Sequence, residues 1–133
     1  YLEFQGKKFG SKAIRLQLWA KRRIQEKCQH QAHNYGLHFS RVSAKNTSKL
    51  AFDGSGIVVR NSKNASLCTF KNGKKYNCDL NASYNIGARY FIREIEKTIS
   101  EKEWLQYEAK VPCIARRTHC TLSTFKNLIV AMT

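Results

Sequence analysis

Acidic residues are scarce in this chain. Nine Asp and Glu stand against 24 Lys and Arg in 133 residues, a net charge of +15 at neutral pH. An excess of that size on so short a chain favours a polyanionic partner, because neutralising phosphates releases condensed counterions. Proline is nearly missing, with Pro112 alone, and there are seven glycines. With 42% hydrophobic and 11% aromatic residues, this composition excludes a disordered tail, a collagen-like chain and a low-complexity segment. Long apolar runs are missing as well. None approaches the ~18 to 20 residues of a bilayer-spanning helix, and the N-terminus has no basic stretch leading into an apolar one. No basic amphipathic helix with an aromatic face suggests a membrane surface. The expectation is a soluble cytoplasmic protein with a nucleic-acid partner and no membrane.

Cys-x-x-Cys pairs are also lacking. The five cysteines are Cys28, Cys68, Cys78, Cys113 and Cys120, an odd number at irregular spacing, which fits reduced thiols better than a disulfide framework. Cys113, His119 and Cys120 can be drawn as part of a metal site, but a fourth ligand is missing.

What is present is strong helical periodicity. Leu16, Ala20, Ile24, Cys28, Ala32 and Tyr35 form one stripe of a helix that opens at Ser11 and stops at Gly36, with Lys21, Arg22, Arg23 and Lys27 on the other face. Core packing with a solvated basic face is the simplest reading. Residues 1–10 read as a strand end and a loop, and Leu37 to Ala44 as a strand. Tyr84, Ala88, Phe91, Ile95 and Ile99 mark a second helix from about Leu80. Ser100 to Glu103 is a capping box opening a shorter helix through about Ala109, ended by Pro112. Ser123 is a cap candidate for a last helix over 124–132.

Between the two long helices the pattern changes. Asp53-Gly54-Ser55-Gly56, Asn61 to Asn64 and Asn72-Gly73 are three closely spaced turn signals, separated by strand candidates at 57–60, 66–70 and 75–77. A small β-rich insertion over 45–78 is expected, too short for a substantial core, held by packing of Ile57, Val59, Leu67 and Phe70. Arg60, Lys63, Lys71, Lys74 and Lys75 make it basic. Phe70 and Tyr76 offer faces for stacking on unpaired bases, though a hairpin with little core needs aromatics for its own packing.

Carboxylates for chemistry are few, since most glutamates fall where helix faces want charge. Asp79 stands out because it follows a strand candidate and precedes a helix, where open α/β folds place ligands. By position alone a helix N-cap is the commoner role. The surrounding residues change that balance. Cys78-Asp79-Leu80-Asn81-Ala82-Ser83-Tyr84-Asn85-Ile86 resembles the Asp-x-Asn-Ala-(Ala/Ser)-x-Asn-Ile motif of the TnpB family, the transposon-encoded RNA-guided nucleases (OrfB-type transposases) related to type V CRISPR effectors. The order of long basic helix, strand, Asn46-Thr47-Ser48-Lys49 and insertion is similar too, so the likeness covers residues 1 to 99.

The resemblance implies the C-terminal part of an RNase H-like (RuvC) domain, α/β in class, in which Asp79 is the third of three carboxylates holding Mg²⁺ or Mn²⁺ for phosphodiester cleavage. It implies that the first carboxylate lies on a strand upstream of this chain and the second just before Tyr1, with Glu3 a poorer stand-in. The chain would then be part of a longer protein, unable to complete the site alone, with DNA and a guide RNA as partners. Arg89, one or more helical turns past Asp79, is expected either near the scissile phosphate or on the surface. The family insertion is usually a zinc ribbon; here the matching span 50–55 has no Cys or His, and Thr69 and Asn72 stand where the second pair would fall, so zinc is expected to be lost. The expected organisation is 1–44, 45–78 (degenerate ribbon), 79–99 (third-motif helix) and 100–133 (C-terminal helices). A guided binder without cleavage and the remnant of a decayed element remain open, and an isolated sheet fragment would tend to self-associate.

Overall fold

The computed structural model describes residues 11–133, with backbone alone for 11–19 and 21. The strand end expected in 1–10, the carboxylate of Glu3 and the side chains of Leu16 and Lys21 lie outside the described residues. Two compact units are formed, Tyr1–Arg41 and Val42–Thr133.

The first unit contains α1, Ser11–Asn34. It stops where the sequence says it should. Gly36 takes φ 64°, and the amides of Gly36 and Leu37 donate to the carbonyls of His33 and Ala32 at 3.0 and 2.7 Å. This closes the helix in a Schellman turn, which needs a left-handed residue that glycine adopts without strain. The apolar stripe does not pack as expected, since Ile24 and Tyr35 are 63% and 76% exposed. Periodicity reported the helix; it could not report what would cover it.

Leu37 to Ala44 forms no strand. A strand exists only through pairing with another strand, and this segment pairs with none among the described residues. Among the described residues the strands are β1 (Val59–Arg60), β2 (Leu67–Thr69) and β3 (Lys75–Asn77), an antiparallel sheet in the order β1-β2-β3, with one isolated antiparallel bridge between Leu50 and Ile57. Val59 pairs with Thr69 and Thr69 with Lys75. The expected turns make the hairpins. Gly54 and Gly73 both sit at φ 82°, and the Asn61 and Asn72 side chains accept from Lys63 N and Lys74 N at 2.8 and 3.1 Å. The class is mixed helix and sheet; no parallel strand occurs among the described residues.

The insertion does have a small core, in a different register from the one expected. Ala51, Val58, Cys68, Phe70 and Cys78 are buried, with Phe52 and Tyr76 against them, while Ile57 and Val59 face solvent. Alternation along a strand puts Val58 on the opposite face from both neighbours, so only one choice can be inside. Phe52 is the hub, its ring centroid 5.4, 5.0 and 5.2 Å from Phe70, Tyr76 and Tyr84. The two aromatics expected as stacking platforms are thus engaged in the protein's own packing.

Helix α2 (Cys78–Thr98) is followed by α3 (Glu101–Lys110), a 3-10 turn at Pro112–Ala115, and α4 (Leu122–Met132). The Ser100/Glu103 capping box forms. The last helix is capped by Thr121 rather than Ser123, in a reciprocal pair with Thr124. Ile92, Trp104, Val111, Ile114, Cys120 and Leu128 make the second core.

The sheet register is directly testable. Val58→Ala should cost about 2 kcal/mol in urea unfolding, from reduced burial plus a residual cavity. Val59→Ala should stay within about 0.5 kcal/mol.

Candidate nucleic-acid interface

The buried residues of α2 are polar as well as apolar, Asn81, Asn85 and Arg89 beside Cys78, Ala88 and Ile92. Tyr84 and Phe91, both expected inside, are 39% and 52% exposed, whereas Asn81 and Asn85 are wholly buried and Arg89 nearly so. These three lie at i, i+4 and i+8, one above another along one side of the helix.

Each is occupied by backbone groups of distant loops. Asn81 accepts from Phe52 N at 2.9 Å and donates to Leu50 O at 2.9 Å. Asn85 donates to Thr47 O and Leu50 O at 2.9 and 2.8 Å and accepts from Leu122 N at 3.2 Å. Arg89 donates to Ser43 O and Lys45 O at 2.8 and 2.7 Å, to Cys120 O at 3.0 Å and to Thr118 O at 2.6 Å. A carboxamide presents donors and an acceptor together, and a guanidinium presents five donors in a plane. They satisfy irregular backbone that no ladder reaches. Arg89, expected either near a phosphate or on the surface, is instead buried with its guanidinium on four backbone carbonyls, an internal brace.

Asp79 has a different setting. The helix is capped by Asn77, whose Oδ1 accepts from Asp79 N and Leu80 N at 2.9 and 3.0 Å. The capping role weighed for Asp79 is already filled. Its side chain is exposed in the first turn, and among the described residues the carboxylate has no hydrogen-bond or ion-pair partner.

Arg60, Lys63, Lys71, Lys74 and Lys75 are all exposed on the hairpins that lead into this helix. Lys75 lies on the outward face with Thr69 and Val59. Where the resembled family clips two turns with zinc, Asn72 Nδ2 donates to Asp53 Oδ2 at 2.9 Å, joining the turn at 51–56 to that at 70–74. Burial alone would push Asp53 up, but hydrogen bonds from Ser55 and Asn72 and the charge of Lys74 bring it below its usual value. No three of His, Cys, Asp and Glu cluster among the described residues.

Two outcomes follow. Arg89→Lys keeps the charge but gives up the planar fork, and should cost about 2–3 kcal/mol in urea unfolding, whereas Lys74→Gln, at an exposed position, should stay within about 0.5 kcal/mol. Because Asp53 lies below its unfolded value of 3.8, its contribution is present above that pH and lost as pH falls through the folded value. Acid unfolding followed by circular dichroism should show Asp53→Asn less stable at neutral pH, with a shallower loss below about pH 4.

No curated protein and no solved structure matches this chain. Residues 22–86, a little under half of it, match the family model of the Cas12f1-like TNB domain. The match runs from α1 through the sheet to the second turn of α2, so it includes the basic hairpins, Asp79, Asn81 and Asn85. It supports a relationship to TnpB- and Cas12f-type proteins, to which this stretch is similar.

Proposed function

We propose that the chain is the C-terminal RuvC segment of an RNA-guided DNA nuclease, with Asp79 as a metal-binding carboxylate and the basic hairpins as its nucleic-acid contact. The observation that carries this reading is the division of labour at the start of α2. Asn77 caps the helix, Asn81 and Asn85 fasten it, and the Asp79 carboxylate is exposed in the first turn with no hydrogen-bond or ion-pair partner among the described residues, its charge also suiting the helix N-terminus.

Its oxygen suits a hard divalent cation such as Mg²⁺ or Mn²⁺. One carboxylate does not make a two-ion centre, and the described residues supply no cluster to complete it. The chain's own contribution is to fix Asp79 at the end of β3 and to bring phosphates near it. With Phe70 and Tyr76 turned inward, the hairpins offer charge without exposed rings. Binding there should follow the phosphate backbone and be indifferent to base identity.

The test uses the full-length protein with its RNA and a labelled single-stranded DNA in Mg²⁺ or Mn²⁺. Asp79→Ala should abolish cleavage while leaving DNA affinity unchanged. Replacing Lys71, Lys74 and Lys75 by Gln should weaken binding for all sequences and flatten the slope of log K against log salt by about 0.7–0.9 for each phosphate no longer neutralised. Equal cleavage by wild type and Asp79→Ala would remove this residue from the reaction. Binding without cleavage in either would favour a guided binder.

A further inference from the structure

Cys68 and Cys78 are two thiols to which the proposed function gives no task. Cys68 is the middle residue of β2, and Cys78 follows β3 directly as the first residue of α2. The ladder pairs Cys68 with Tyr76 and Leu67 with Asn77, and Cys78 N extends it by donating to Ser66 O at 2.8 Å. Tyr76 and Cys78 share a face of the strand, so Cys68 and Cys78 are diagonal neighbours on the inner face of one hairpin. Both are buried, at 0% and 3% exposure, in the same small cluster. The Cys68 thiol donates to Tyr76 O at 3.4 Å, and burial together with the neighbouring Cys78 pushes it up to about 11.

The other cysteines differ. Cys28 and Cys113 are exposed, and Cys120 sits in the second core with its thiol on the carbonyls of Cys113 and Arg116.

We propose that Cys68 and Cys78 are a modification site, a thiol pair that a peroxide oxidises to a disulfide stapling β2 to the first residue of α2. The first sulfur attacks a peroxide oxygen, giving a sulfenic acid and one water. The second sulfur then displaces the hydroxyl, which leaves as a second water, and the S–S bond forms. Two thiols lose two hydrogens and one hydrogen peroxide becomes two waters. Diagonal neighbours lie about 7–8 Å apart, so reaching the S–S distance of about 2.05 Å draws β2 and the start of α2 together as well as turning the side chains. Burial makes the pair slow to react, and access comes through local opening of a sheet whose strands are only two and three residues long. The bond would tie the backbone next to Asp79 to the hairpin. The inference does not depend on the nuclease reading.

The experiment treats the reduced full chain with hydrogen peroxide, alkylates residual thiols in denaturant, digests with trypsin and weighs the peptides. The expected product joins fragment 64–71 to fragment 76–89 with two hydrogens missing. It should be absent in Cys68→Ala and in Cys78→Ser and retained in Cys120→Ser. Because the wild-type product is read directly, poor folding of a variant does not decide the matter. Oxidation confined to Cys28 and Cys113, linkage of Cys113 to Cys120 in place of this pair, or the same mixture of linkages from native and urea-unfolded chain would each overturn the proposal.

Discussion

The row Asn81, Asn85 and Arg89 is the constraint on which the Val42–Thr133 unit depends. The segment 43–52 is irregular, and its carbonyls would be costly to bury unpaired, at about 1–3 kcal/mol for each group. Side chains on one face of α2 meet these groups at Ser43, Lys45, Thr47 and Leu50, and reach the C-terminal segment at Thr118, Cys120 and Leu122. One helix thereby joins two loops more than 60 residues apart in sequence. A polar brace of this kind is directional, so it fixes where the loops sit in a way that apolar packing alone would leave loose.

That brace also sets the candidate site. The helix that fastens the loops begins at Cys78, directly after β3, so the hairpins and Asp79 are tied to the same rigid element. The cap of α2 is Asn77 and not Asp79, and the aromatic hub around Phe52 holds the sheet against the first turns of α2 through Tyr84. Charge is left on the outside and rings on the inside. Such a surface is suited, under the proposed function, to a phosphate backbone and not to reading bases.

The two cores divide the mechanical work. The C-terminal one, around Trp104, Ile114 and Leu128, is built from helix faces. The one beneath the sheet is small, and its strands are short. Much of its order comes from turn chemistry, with Asn61, Asn72 and Asp53 accepting from nearby amides and Asn72 bridging to Asp53. Local hydrogen bonds of this sort, together with edge-to-face rings, give a minimal sheet an order that buried area alone would not supply.

The sequence by itself determined the elements whose information is local. The helix stop at Gly36, the Ser100/Glu103 capping box, the three turns and the places of the three short strands follow from residue types at fixed offsets, and the motif around Asp79 is legible as a string. Tertiary structure decided the rest. Whether Leu37 to Ala44 became a strand depended on a partner. Whether Val58 or its neighbours went inward depended on register. Whether Arg89 met phosphate or protein depended on carbonyls 31 and 46 residues away. Propensity and capping act within one turn of chain, whereas burial and hydrogen-bond satisfaction are settled by what the whole fold brings alongside.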